Sequence, residues 1–144
     1  MTSIAFHFNA PDRLAYACRL IRKAWSSGAK LVVCGPPESL ASLDGALWTM
    51  NATEFLPHCL VDAPAEVAAA SPVILSHDPS RSVYREVLIN LGADAPRGFD
   101  AFGRLIEIVT ADDTDREHAR SRWKHYTRLG YTITRHDLAA RGAD

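Results

Sequence analysis

Apolar positions in this chain fall into two patterns that alternate along its length: short continuous runs, and longer stretches where they recur every three or four residues. Ile4 to Phe8 is a weakly alternating run closed by Asn9-Ala10-Pro11-Asp12, which predicts a strand leading into a helix cap. Leu14, Ala17, Cys18, Ile21, Ala24 and Trp25 then share one helical face, and Gly28 supplies a C-terminal stop. Lys30 to Cys34 is continuously apolar after its first residue and ends at Gly35-Pro36-Pro37, as expected of a buried strand in a parallel sheet. A second helix is predicted from about Glu38 to Leu47, followed by a loop holding Trp48, Phe55, Pro57 and His58. Asp62 to Ser71 is alanine-rich, lacks punctuation, and is assigned only as a connection.

The second half repeats the alternation. Pro72 to Ser76 and Glu86 to Leu91 are predicted strands on either side of a polar loop, His77 to Arg85. A short helix at Phe99 to Gly103, a strand at Leu105 to Val109, a long helix from Asp112 to Leu129 and a last strand at Tyr131 to Thr134 complete the pattern. Strands alternating with helices of these lengths predict a three-layer α/β fold with a largely parallel sheet. At 144 residues and 47% hydrophobic content there is material for one domain, expected over residues 1–138, with a frayed polar tail at 139–144.

Charge and cysteine usage narrow the function. A net charge of -1 and a pI near 6.6 argue against broad binding of a phosphate backbone, so any basic site must be local. Cys18, Cys34 and Cys59 are odd in number and widely separated, which reads as core hydrophobes in a reducing compartment rather than a disulfide framework. No segment reaches the roughly 20 apolar residues of a membrane-spanning helix, and MTSIAFHF has no signal-peptide pattern, so a cytoplasmic protein is expected.

Nucleotide and hydrolytic chemistry find little support. The turns after the first two strands are Asn-Ala-Pro-Asp and Gly-Pro-Pro, not glycine-rich phosphate loops, and no G-x-x-x-x-G-K-S/T, G-x-S-x-G or H-E-x-x-H motif occurs. His58-Cys59 cannot by themselves close a tetrahedral metal site. Asp112, Asp113 and Asp115 could act as paired acids, but at a helix start they are more often caps favoured by the helix dipole. No cofactor is expected. An enzyme, either a small α/β hydrolase or a nucleotide-dependent transferase with a divergent site, remains the alternative to a binding module.

Two clusters stand out. In DDTDREHARSRWKHYTRLGY, Arg116, Arg120 and Lys124 are four residues apart and share a helix face: either an ordinary solvated surface or a cationic stripe for an anionic partner. Trp123 beside them is either core packing or the apolar half of a mixed site, whereas Tyr126 reads as core. The aromatic run from Ala46 to His58, with Trp48 and Phe55, either plugs the core or offers an anchor pocket.

These clusters carry a resemblance. A-L-W followed by E-F-L-P-H within Ala46 to His58, A-R-S-R-W-K-H-Y at Ala119 to Tyr126 and G-Y at Gly130-Tyr131 resemble signature segments of the chi subunit family of DNA polymerase III. W-S-S-G at Trp25 to Gly28, S-L-D-G-A-L-W at Ser42 to Trp48 and V-L-I-N-L at Val87 to Leu91 resemble that family too, in its order, so the likeness covers most of the chain. Trp123 stands where the family often has tyrosine. The resemblance implies a single Rossmann-like domain without a nucleotide-binding loop, acting non-catalytically in the clamp-loader assembly. It implies two partners: the psi subunit, and the acidic C-terminal tail of single-stranded DNA-binding protein, which ends in Pro-Phe. DNA would then be reached only indirectly. By the same resemblance Arg120 matches the position expected to hold the tail's terminal carboxylate, Arg116 and Lys124 match its basic neighbours, and Trp48, Phe55 and Trp123 match the surrounding apolar positions.

Overall fold

The structure, a computed structural model, describes residues 2–49, 58–60, 63 and 71–139. Seven strands form one parallel sheet: β1 (Ser3–Ala10), β2 (Leu31–Cys34), β3 (His58–Leu60), β4 (Val73–Leu75), β5 (Val87–Asn90), β6 (Arg104–Thr110) and β7 (Ile133–Asp137). Their spatial order is β3-β4-β2-β5-β6-β1-β7, so β3 and β7 are the edges. Among the described residues three helices cover it: α1 (Arg13–Ser26), α2 (Pro37–Thr49) and α3 (Asp113–Arg128). This is a Rossmann-like α/β domain, as expected from the alternating pattern.

Central strands are buried on both faces, and their side chains alternate between two cores. Leu31, Val33, Val73, Leu75, Ile89, Ile106 and Ile108 point to the α1/α2 side, packing on Tyr16, Ile21, Leu40 and Leu43. Ile4, Phe6, Val32, Cys34, Leu88, Leu105 and Val109 point to the other side, under Ala119 and Tyr126 of α3. The same alternation puts Glu107 in the middle of the α3 layer, fully buried. All three cysteines are free and buried, with burial pushing the Cys34 thiol up.

Capping is local and legible. Asp12 accepts from the Ala15 amide at 3.1 Å, and Asp112 accepts from the Asp115 amide at 3.0 Å, each satisfying an orphan donor of the first turn. Of the three aspartates at the start of the long helix, Asp112 is the cap, while the Asp115 carboxylate is engaged by Thr110 and Arg13. Gly130 follows α3 with φ 92°, a left-handed conformation that ends the helix and turns the chain into β7.

Several boundaries differ from expectation: the helix expected at Phe99 to Gly103 is a single 3-10 turn, Phe99–Ala101, two strands lose a residue at each end, and three further differences bear on the site. The loop assigned after Leu47 begins later, because α2 runs on to Thr49 and carries Trp48 in its last turn. His58–Leu60 forms a short edge strand, paired in register with Val73–Leu75. The last strand starts at Ile133 rather than Tyr131 and continues to Asp137, pairing along β1 from Ile4↔Ile133 to Phe8↔Asp137. Most of the Asp62 to Ser71 connection, and the 139–144 tail beyond Ala139, lie outside the described residues.

Candidate functional site

A groove of about 430 Å3 opens between α3 and the β1/β7 edge of the sheet. That lies within the roughly 300–1,000 Å3 of ligand-binding clefts. Its apolar surface comes from Phe6 and Phe8 of β1, Val109 of β6, and Ala119 and Trp123 of α3. Phe6 and Phe8 reach it because residues two apart on a strand share a face. Trp123 stands against Phe6 with ring centroids 5.1 Å apart. Asn9 closes one end: it adopts φ 64° where the β1–β6 register shifts, and donates from Nδ2 to Asp137 Oδ1 at 2.8 Å.

Four cations rim this trough: Arg116, Arg120 and Lys124 along α3, and Arg135 from β7. All four are exposed, and among the described residues none forms an ion pair. The i, i+4 stripe is therefore a set of unneutralised like charges beside an apolar floor. Such an arrangement can hold a short anionic chain that also carries an apolar or aromatic side chain, with guanidinium forks suited to a carboxylate.

Of the residues expected at one site, the fold brings together Arg116, Arg120, Trp123 and Lys124. Trp48 is a correction: it does not join them. It sits at the end of α2 against His58 of β3, ring centroids 4.8 Å apart, by the opposite edge of the sheet. Five strand spacings separate β3 from β1, about 24 Å at the usual inter-strand distance. Trp48 is 54% exposed there, near Leu60 at 42%. His58 is buried with Nε2 3.1 Å from Asp44 Oδ1, so its ring belongs to a local contact with α2. Phe55 lies outside the described residues.

Two arginines went unread. Arg135 was hidden because the predicted strand stopped at Thr134; once β7 extends to Asp137, the pairing Phe6↔Arg135 places it on the groove face. Arg122 is only 3% exposed and sits beneath the stripe, Nε 3.1 Å from Glu107 Oε1 and Nη1 donating to the Ala93 carbonyl at 2.8 Å. Asn90 Nδ2 donates to Glu107 Oε1 at 2.9 Å and the Tyr126 hydroxyl donates to Oε2. Burial pushes the Glu107 carboxyl above its ordinary range, with the Arg122 cation and these hydrogen bonds opposing the rise; burial and Glu107 together push the Tyr126 hydroxyl up. A signal existed: Ala119, Arg122 and Tyr126 have the three- and four-residue spacing of a buried face.

The crevice beyond the carboxyl ends of the strands, where α/β sheets usually take nucleotides, holds side chains engaged with one another. It is lined by Pro36, Arg13, Thr110, Asp112 and Asp115. Arg13 is tied to Asp115 in an ion pair, and Asp115 Oδ2 also accepts from the Thr110 amide at 2.7 Å and hydroxyl at 2.9 Å. Burial alone would raise the Asp115 carboxyl, but the Thr110 amide, the Arg13 cation and the Thr110 hydroxyl together hold it below the usual range. Carboxylates in place of open amides disfavour a phosphate group here.

Comparison with known proteins agrees with the sequence resemblance. Residues 1–134 match the family described as "DNA polymerase III chi subunit, HolC". A protein of Pseudomonas aeruginosa named DNA polymerase III subunit chi is 35% identical over 127 residues, covering 88% of this chain and 87% of that protein. Proteins of the same name from Haemophilus influenzae and Escherichia coli are each 30% identical, over 120 and 118 residues; they cover 82% and 81% of this chain, and 82% and 79% of their own lengths.

Proposed function

The chain belongs to the DNA polymerase III chi subunit family, and from that premise we propose that it is a non-catalytic adaptor whose α3 groove captures the acidic C-terminal tail of single-stranded DNA-binding protein. One observation carries the reading: an apolar trough flanked by four exposed cations without ion-pair partners among the described residues, on a chain whose net charge is -1. With 16 basic and 17 acidic residues the chain offers a duplex or long single strand no broad basic surface, whereas a short acidic peptide needs only this local field.

The chemistry of the tail fits the groove residue by residue. Its terminal phenylalanine ring enters the trough over Phe6, Phe8 and Trp123, and its terminal carboxylate meets the Arg120 guanidinium in a two-bond fork. Arg116 and Lys124 then face the acidic residues upstream. Burying the ring contributes about 1.5–3 kcal/mol and the charged hydrogen bonds about 1.5–3 kcal/mol, with a few tenths from each screened charge. After the cost of ordering the peptide, affinity on the order of micromolar is expected. A tether of that strength exchanges readily.

Linking the tail to the clamp loader through psi requires a second surface, because a partner in the groove would exclude the tail. The exposed Trp48 and Leu60 near the β3 edge, some five strands away, support placing the psi contact there. Both partners can then be held at once.

The test is fluorescence anisotropy of a labelled acidic peptide ending in Asp-Ile-Pro-Phe. Wild-type protein should bind at micromolar concentration. Arg120→Ala, and amidation of the peptide's terminal carboxylate, should each weaken binding by about tenfold or more, or about 1.4 kcal/mol. Absence of binding by folded wild-type protein at low salt would reject the adaptor reading.

A further inference from the structure

We propose that Arg135 is a specificity-determining residue of the groove, selecting an aromatic terminal side chain over an aliphatic one of similar size by stacking on it; the proposal rests on reading the groove as a peptide site. Arg135 lies one residue past the stretch matched by the family description, and nothing in that match assigns it a role.

The exposed Arg135 head folds back onto the groove's aromatic lining. Its guanidinium carbon is 5.1 Å from the centroid of Phe8 and 5.9 Å from that of Trp123, so the head reaches back over the apolar floor. Register explains why: Arg135 pairs with Phe6 across the parallel β1/β7 ladder, so its side chain leaves the sheet on the α3 side. Asp137, two residues on, already accepts from Asn9 Nδ2 and from the Ala139 amide, and among the described residues no carboxylate pairs with Arg135. The stripe on α3 lines one wall of the groove, and among the described residues lining it Arg135 alone supplies cationic charge from the sheet side.

A ring entering the trough therefore meets aromatic carbon below and a flat delocalised cation beside it. The negative face of a π system attracts such a cation, and the guanidinium plane can stack on it. A saturated ring of the same carbon count fills the trough equally well but has no quadrupole. The other cations bear on acidic groups and the carboxylate, and do not distinguish the two rings.

The experiment compares two labelled acidic peptides, one ending in phenylalanine and one in cyclohexylalanine, by anisotropy against wild-type, Arg135→Met, Arg135→Lys and Arg120→Ala proteins. Wild type should prefer phenylalanine by about three- to tenfold, the range expected of a partly exposed cation–π contact. Arg135→Met should bind the two peptides within a factor of about two, and Arg135→Lys should keep part of the preference because it retains the charge without the plane. Arg120→Ala should weaken both peptides alike and leave the ratio intact. An unchanged ratio in a folded Arg135→Met protein overturns the proposal while leaving the groove reading in place. Binding of neither peptide by wild type overturns both.

Discussion

Replacing Arg122 by methionine tests whether the face of α3 opposite the stripe holds the helix in place. The substitution keeps an unbranched side chain of moderate volume and removes the cation 3.1 Å from Glu107 Oε1, along with the hydrogen bond to the Ala93 carbonyl. Glu107 is fully buried in β6 and would face the apolar layer with only Asn90 and Tyr126 as partners. Breaking a buried pair by removing one member costs about 3–5 kcal/mol, because the remaining charge is uncompensated. For a chain of this length that corresponds to a melting temperature lower by roughly 9–15 °C. The cost should also depend on pH. Burial already raises the Glu107 carboxyl, and losing the cation that opposes this raises it further. A group whose folded pKa is raised gives its full stability below the unfolded pKa, near 4.3, and loses it as pH climbs towards the folded value. Arg122→Met should thus lie closest to wild type near pH 4.5, where Glu107 takes up a proton, and furthest at pH 7.5. Urea unfolding at both pH values measures this, and Glu107→Gln in the Arg122→Met background should restore stability at pH 7.5 and flatten the pH response. A penalty under about 1 kcal/mol at pH 7.5, or one equal at the two pH values, would refute the argument.

Asp115→Asn removes a carboxylate held below its usual range, a contribution that is present above the unfolded pKa near 3.9 and lost as pH falls through the folded one. Its cost should be about 1–2 kcal/mol above pH 5 and shrink towards pH 2–3 in acid-unfolding curves followed by circular dichroism. Tail binding should weaken by about tenfold between 50 and 500 mM salt, since the rim cations are exposed and screened over about 10 Å at 0.1 M. Anisotropy titrations with Arg116→Ala and Lys124→Ala should show shallower salt slopes than wild type.

The strands were legible where burial on both faces makes a run continuously apolar: Leu31 to Cys34, Val73 to Leu75 and Val87 to Ile89. They were less legible at the edges, where half-solvated residues give no such run: β3 went unpredicted, and only the first two residues of β7 fell inside the expected strand. His58–Leu60 is three residues long, and Ile133-Thr134-Arg135-His136-Asp137 is mostly polar; only pairing with β1 makes it a strand. The missed end of β7 concealed Arg135 and with it the far wall of the groove. Trp48 and Trp123 were grouped on chemistry, but sequence distance says nothing about which sheet edge a residue reaches. The strand order, with β1 at one side and β3 at the other, separates them.

One helix reconciles two uses of arginine that look alike in the sequence. Arg120 and Arg122 are two positions apart, about 200° around a helix of 3.6 residues per turn, so one must face solvent if the other faces the sheet. The outward set, Arg116, Arg120 and Lys124, carries like charges at four-residue spacing, and among the described residues none of the three forms an ion pair. The inward residue is ion-paired with a buried carboxylate from the central strand, and Tyr126 one turn on hydrogen-bonds the same carboxylate. Since Glu107 is fixed by the β6 ladder, its contacts with residues 122 and 126 set the rotation of α3 about its axis, and hence the direction of every outward cation. A helix seated only by apolar contacts could turn by a fraction of a residue to relieve the crowding of its cations. The buried polar contacts oppose that turn because they are directional, and a buried carboxylate left unsatisfied is costly. If the groove takes a peptide as proposed, this fixed orientation of its cations lowers the ordering cost of binding.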